Sequence, residues 1–295
     1  MLAFLGKWLK TLNAPAELEL EQAAPEPFVP APVPAEGVAV VPKGVELSKL
    51  DIMQKMWGKG FSAPGTQEFY LTLTRPLQLN AQKNMMDLSA GLGGAARLIA
   101  HEFKTYVTGF ERDAALAAEG MKISTDSGRG KHATVTGYDP LNFEYSKKSD
   151  AIMACDIFYS LNNKNMMLEN MSKWLKPRGQ LVMTDFVCDA ETLKQPVVEL
   201  WQTKELYGAH PISNEVMLKL LAKHGFDVRI TEDMTVPYAR EVLLGLARLT
   251  QWLEGQRLSR ASKVLVGQTV DLWATRLGAL DKGVKNMRYH AIKTT

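Results

Sequence analysis

From residue 84 onward, short apolar runs alternate with amphipathic stretches, and this alternation restricts the fold more than any other feature of the chain. The runs 84–88, 105–110, 132–137, 150–155, 179–185, 226–234 and 286–292 have the length and character of strands. The stretches 93–103, 113–122, 164–175 and 213–224 carry helical spacing between them. Strands separated by helices are joined by crossovers, which makes the sheet mainly parallel and covered on both faces. The expected fold is α/β, a doubly wound sheet of seven strands. "LKPRGQLVMTDF" reads as a helix end, a turn at Pro177–Gly179, then a strand. Between about 237 and 283 the alternation breaks. "EVLLGLARLTQWLEG" and "VGQTVDLWATRLGAL" read as two helices, the second with Val266, Val270, Trp273, Leu277 and Leu280 on one stripe. They form an insertion before the last strand, expected to pack as a helical hairpin.

The first 44 residues are of another kind. "MLAFLGKWLKTL" sets Leu2, Leu5, Leu9 and Leu12 at helical spacing beside Phe4 and Trp8, with Lys7 and Lys10 toward the other side. An amphipathic helix is expected over 1–13, without the longer apolar core and small-residue cleavage site of a secretory leader. Seven of the fourteen prolines fall between Pro15 and Pro42, so 14–44 is expected to be an extended linker. The folded domain is expected over 45–295. Two partners suit the helix: a membrane surface or a groove on a protein. With two lysines, attraction to anionic lipid is weak and reversible. The full chain is expected to float with anionic vesicles while a chain starting at Val45 does not. Equal partitioning of the two would remove the membrane reading, and capture of a protein by the full chain alone would favour the groove.

Net charge is +3, from 35 basic and 32 acidic residues, too balanced to call for nucleic acid as a partner. Residues 241–295 hold most of the basic excess, nine Lys/Arg against four Asp/Glu, read as a solvated helical face. Cys155 and Cys188 make neither a disulfide framework nor a zinc spacing. No metal is expected, and a reducing, cytoplasmic location fits, peripheral at the inner face of a membrane if the helix binds lipid. No apolar run reaches the roughly 20 residues that span a bilayer.

"MMDLSAGLGGAARLIAHEF", residues 85–103, runs from a strand through Gly91, Gly93 and Gly94 into a helix. Gly91-x-Gly93-x-x-Ala96 satisfies the loose dinucleotide pattern, with Glu111 at the distance of a ribose-binding acid. A phosphate-cradling loop with Gly-Lys-Ser/Thr is excluded. Asp87, four residues before Gly91, would repel a pyrophosphate and suits a cationic, amino-acid end. Glu111 can accept both ribose hydroxyls, and Asp139 can take an adenine amino group. Acids at three successive strand ends fit S-adenosylmethionine. A nicotinamide dinucleotide stays open on the loop alone.

"MMDLSAGLGG", "VTGFERD", "GYDPLNF", "SDAIMACDIFYS" and "LKPRGQLVMTDF" together resemble the class I S-adenosylmethionine-dependent methyltransferases, in order and spacing, over roughly 50–235 plus the final strand. The resemblance implies a Rossmann-like fold and S-adenosylmethionine as methyl donor. Ser89 stands where the family has its first loop glycine. With Gly91, Gly93, Arg112, Pro140 and Cys155 it joins Asp87, Glu111 and Asp139 as the expected donor site. "IMQKMWGKGFSAPGTQEF" is similar to the segment before the loop in phosphoethanolamine and related small-molecule methyltransferases. That likeness implies that Trp57, Phe61 and Ser62 close over the donor. It sets Asp156 on that group's active-site aspartate, and Ser160 where the group has a catalytic histidine. Tyr207 and Ala209 stand at the group's phosphate-holding arginine and tyrosine. A dianionic head group needs paired cations, so the acceptor is expected to be a small molecule or lipid other than phosphoethanolamine, in a site with Tyr159, Trp201, Tyr207 and His210. Asp156 is the candidate base or amine-orienting group, with Tyr159 and His210 secondary. The cysteines are read as packing thiols rather than nucleophiles. The alternative is a catalytically weak scaffold recruited through its N-terminal helix.

Overall fold

The computed structural model describes residues 44–294; the expected helix over 1–13 and all but the last residue of the expected linker lie outside them. Seven strands, β1 (Asn84–Asp87), β2 (Tyr106–Glu111), β3 (Ala133–Gly137), β4 (Ser149–Cys155), β5 (Leu175–Val187), β6 (Phe226–Asp233) and β7 (Lys285–Lys293), form one sheet. The order is β3-β2-β1-β4-β5-β7-β6. β1 to β5 run parallel, while β7 pairs antiparallel with both β5 and β6. The chain winds outward from β1 to β3, then returns to the other side of β1 with β4. Connections leave β1 and β4 in opposite directions, which opens a crevice beyond their C-terminal ends.

The strands are apolar on both faces because both are covered. Met86, Ile152, Ala154, Leu181 and Met183 join one cluster with Leu168 and Met171, whereas Met85, Ala151, Met153 and Val182 join another with Leu73, Ala96 and Ile99. Successive residues of each strand thus serve opposite layers. The helices are α1 (Lys49–Trp57), α2 (Gln67–Thr74), α3 (Gly94–Phe103), α4 (Ala114–Asp126), α5 (Lys164–Trp174), α6 (Pro196–Lys204), α7 (Asn214–Lys223), α8 (Thr235–Leu253) and α9 (Arg260–Asp281). Side-chain caps start most of them: Ser48 with Asp51 as a reciprocal box, then Thr66, Asp113, Asn163, Ser213 and Ser259. The exceptions are α6 and α8, which start without a side-chain cap, and α3, which begins at Gly93 in a left-handed conformation.

Three differences from the sequence expectation have physical causes. β5 starts at Leu175, directly after α5, and Pro177–Gly179 lies inside it as an irregularity. Ser149 pairs with Leu175 and Ala151 next with Gln180, so extra residues bulge there, with Arg178 at φ +62°. Proline lacks an N–H and fits where the ladder is interrupted. The two inserted helices do not pack chiefly on each other: α8 lies against α1 and α9 against α6. Together these four build a third cluster around Trp57, Phe186, Trp201 and Trp273. The third difference is α1, α2 and α6 themselves, none expected from the sequence. At 9, 8 and 9 residues they are too short to be stable alone and depend on tertiary packing. No helix among the described residues is long and apolar enough to cross a membrane.

Candidate active site

A cleft of about 270 Å³ opens at the C-terminal ends of β1, β2, β4 and β5. At one end the glycine loop folds against Glu111. Gly91 N–H donates to Glu111 Oε2 at 2.8 Å, and Asp113 N–H donates to Oε1 at 2.9 Å. Each carboxylate oxygen keeps a lone pair for a further donor. Gly91 has φ +51°, and a Cβ there would sit 2.0 Å from Ser62 Oγ, so only glycine brings the backbone this close. Ser89 ties β1 to β4: its Oγ donates to Asp87 Oδ1 at 2.9 Å and accepts Cys155 N–H at 2.9 Å. Asp87 is fully buried, and its Oδ2 has no partner. Burial pushes this carboxyl up to about 6.

At the other end stands Asp156, at φ +53° just past β4. Its N–H donates to Thr184 O at 2.7 Å. Its Oδ1 accepts from Thr184 Oγ1 at 2.9 Å and Asn286 Nδ2 at 2.8 Å. Burial raises its pKa, against the lowering effect of those two hydrogen bonds. Beside it lies a buried ion pair. Arg276 donates through Nε and Nη2 to Glu205 at 2.6–2.8 Å, and through Nη1 to Tyr238 Oη at 2.9 Å. Glu205 also accepts Trp201 Nε1 at 2.6 Å and Tyr159 Oη at 3.0 Å. Over the cleft mouth, the Arg112 guanidinium lies 3.7 Å from the centre of the Tyr207 ring and donates to Ser160 Oγ at 2.9 Å.

Of the expected site residues, Ser62, Ser89, Gly91, Glu111, Arg112, Cys155, Asp156, Tyr159 and Tyr207 line the cleft together. The others do not. Trp57 belongs to the apolar face of α1 and packs edge-on against Trp273 at 4.8 Å. Phe61 stacks on Tyr70 at 5.8 Å and covers the start of α3, where a Cβ on Gly94 would approach its ring to 2.7 Å. Asp87 sits behind Ser89 and orients it rather than facing the cleft. Gly93, at φ +75°, leaves room for Arg97 and Val135. Asp139 is exposed and closes its own turn, accepting Leu141 N–H at 3.0 Å and Asn142 Nδ2 at 2.7 Å, and Pro140 is buried beside it. The His210 ring lines a separate surface cavity with Asn162 and Pro211, and only its backbone N–H reaches this region, donating to Tyr159 O at 2.6 Å. Tyr159 lines the cleft, but Glu205 and Arg276 hold its hydroxyl and burial raises its pKa far above that of a working base. Trp201 is wholly core. Burial also pushes the Cys155 thiol up, so it stays neutral.

Sequence reasoning missed Tyr70, Thr184, Glu205, Tyr238, Trp273, Arg276 and Asn286, all on the cleft wall. Apart from Trp273 and Arg276, both on α9, they come from separate elements, and they form no motif. One signal was there: Arg276 falls three residues after Trp273 on the buried side of an apolar helix, where an unpaired charge would be costly.

A methyltransferase domain family model matches residues 66–230, more than half of the chain. Phosphoethanolamine N-methyltransferase 1 of Triticum aestivum is 23% identical over 188 residues, covering 63% of this chain and 37% of that protein. Phosphoethanolamine N-methyltransferase 2 of Caenorhabditis elegans is 24% identical over 250 residues, 81% of this chain and 54% of the relative. The chain thus spans about a third to a half of the length of these relatives. Haemonchus contortus phosphoethanolamine N-methyltransferase 2, solved with phosphomonomethylethanolamine and S-adenosylhomocysteine, superposes with a TM-score of 0.71 at 20% identity, covering 84% of this chain and 59% of that one. With the sheet order, the glycine loop against Glu111 and the family match over 66–230, the chain belongs to the methyltransferase domain family, among the class I S-adenosylmethionine-dependent methyltransferases.

Proposed function

We propose that this protein transfers a methyl group from S-adenosylmethionine to a small-molecule or lipid-like acceptor that carries no phosphomonoester. S-adenosylmethionine supplies a methyl on a positively charged sulfur, already activated for displacement. The donor end of the cleft suits that molecule. Glu111 keeps lone pairs for ribose hydroxyls, and Gly91 admits close backbone approach.

At the acceptor end, Asp156 is fixed by Thr184 and Asn286. Its carboxylate orients an amine or hydroxyl and takes the proton released on transfer. The observation that carries the acceptor class is the engagement of Arg276. Among the described residues, Arg112 and Arg276 are the two cations on the cleft wall. Arg276 is committed to Glu205 and Tyr238, and Arg112 stacks on Tyr207. A dianionic head group finds no free pair of cations, whereas a neutral or cationic acceptor meets Asp156 among aromatic rings. The scaffold alternative is not favoured, because the donor cleft and Asp156 are assembled together. Residues 1–13 and 14–44, as anchor and linker for the domain that follows, remain part of this proposal.

The test is transfer of labelled methyl by the full-length protein to extracted lipids, small amines and phosphoethanolamine. Label is expected in the first or second group and not in the third; methylation of phosphoethanolamine would overturn the acceptor class. For the donor site, losing a hydrogen bond to a charged group removes about 1.5–3 kcal/mol. Glu111→Ala is therefore expected to weaken S-adenosylhomocysteine binding roughly 10- to 100-fold by calorimetry, and unchanged affinity would overturn the donor assignment.

A further inference from the structure

A second cavity, of about 390 Å³, lies between α2 and α8. It is within the usual range of about 300–1,000 Å³ for small-molecule sites. Pro64, Phe69, Tyr238 and Asn286 line both it and the transfer cleft. Asn286 stands at the junction, its side-chain amide donating to Asp156 Oδ1 at 2.8 Å. Beyond the junction the walls are mostly apolar, with Leu73, Met234, Val236 and Pro237. Val236 is 79% exposed although it is a large apolar side chain at the start of α8.

The wall also carries a buried cation. Arg288 of β7 lines the cavity and is 8% exposed. Its Nη1 donates to Glu232 at 3.1 Å and its Nη2 to Thr72 O at 3.2 Å, which ties β7 to β6 and α2 and holds this wall in place.

Resting on the transfer reading above, we propose that this cavity holds the apolar arm of the acceptor and that the reacting group lies at Asp156. The substrate class is then an amphiphile with a nucleophilic end and a hydrocarbon arm. Arm length is read by Leu73, Met234 and Val236, and the reacting end by Asp156 and Asn286.

The test uses monoacylated ethylenediamines with arms of increasing length, titrated calorimetrically into the full chain saturated with S-adenosylhomocysteine. Affinity is expected to rise about fourfold per added methylene until the arm fills the cavity. Val236→Trp and, from the α2 side, Thr72→Trp fill the space from exposed positions. Each is expected to abolish the length dependence while S-adenosylhomocysteine binds as before, which also reports that the variant is folded. Equal affinity along the series, or an unchanged length dependence in both variants, would overturn the proposal. Failure of S-adenosylhomocysteine to bind the unaltered protein would instead overturn the donor assignment beneath it.

Discussion

Asp156→Asn is expected to lower turnover at least about a hundredfold, the lower end of what a positioned proton acceptor contributes, with S-adenosylhomocysteine affinity unchanged within about threefold. An amide oxygen at this position still accepts from Thr184 Oγ1 and Asn286 Nδ2, so the geometry survives while the charge and the proton acceptor are lost. Two further readouts separate this from simple damage. Burial raises the Asp156 pKa, so activity of the unaltered protein falls as pH drops through that raised value, and the residual activity of the variant lacks this limb. A carboxyl whose pKa is raised by folding costs stability once ionised: its contribution is full at low pH and is lost as pH rises through the folded value. Replacing it by an amide should therefore leave the unfolding temperature at neutral pH level or slightly higher. Full activity in Asp156→Asn, measured by labelled-methyl transfer, would remove Asp156 from the chemistry.

Arg276→Ala is expected to be the most destabilising single change near the cleft. It strands Glu205, 8% exposed, among Trp201, Tyr159 and Phe186 without its countercharge. Breaking a buried pair from one side typically costs about 3–5 kcal/mol. At roughly 2–4 °C per kcal/mol for a domain of this size, calorimetric unfolding should drop by about 10 °C. The double change Arg276→Ala with Glu205→Gln removes the stranded charge yet keeps an acceptor for Trp201 Nε1 and Tyr159 Oη, and should recover at least half of the loss. A single variant within about 2 °C of the parent, less than 1 kcal/mol for a domain of this size, would mean that the pair does not organise this wall. Tyr159, Tyr238 and Glu205 all depend on Arg276 for their placement, so turnover should fall with it while the Glu111 end keeps its affinity for the donor product.

The sheet was legible because its determinants are local. Strand spacing, the apolar runs around Met85–Met86, Ile152–Ala154 and Leu181–Met183, and helix starts at Asp113, Asn163 and Ser213 each lie within a few residues of the structure they form. The donor end was legible for the same reason. Ser89, Gly91 and Glu111 belong to one strand–loop–helix–strand unit, and the Gly91 to Glu111 hydrogen bond closes over only 20 residues. Even there, Asp87 and Asp139 were assigned by position at strand ends, and direction decided otherwise: Asp87 turns inward to Ser89 and Asp139 outward to its own turn.

What the sequence alone determined is therefore the order and type of the central elements, the parallel part of the sheet, the glycine loop with its facing acid, and the candidacy of Asp156. The cleft wall around Asp156 and Arg276 belonged to the tertiary structure. Arg276 meets Glu205 across 71 residues and Tyr159 across 117, and Asn286 reaches Asp156 across 130. Those residues come from the segment after β4, the end of α6, α9 and β7, and the path of the inserted helices brings them together when α8 settles on α1 and α9 on α6. No periodicity or spacing encodes such a meeting. A side chain's neighbours across the fold are set by the packing of whole elements, and a buried charge such as Arg276 acquires its partner only once those elements have closed around it.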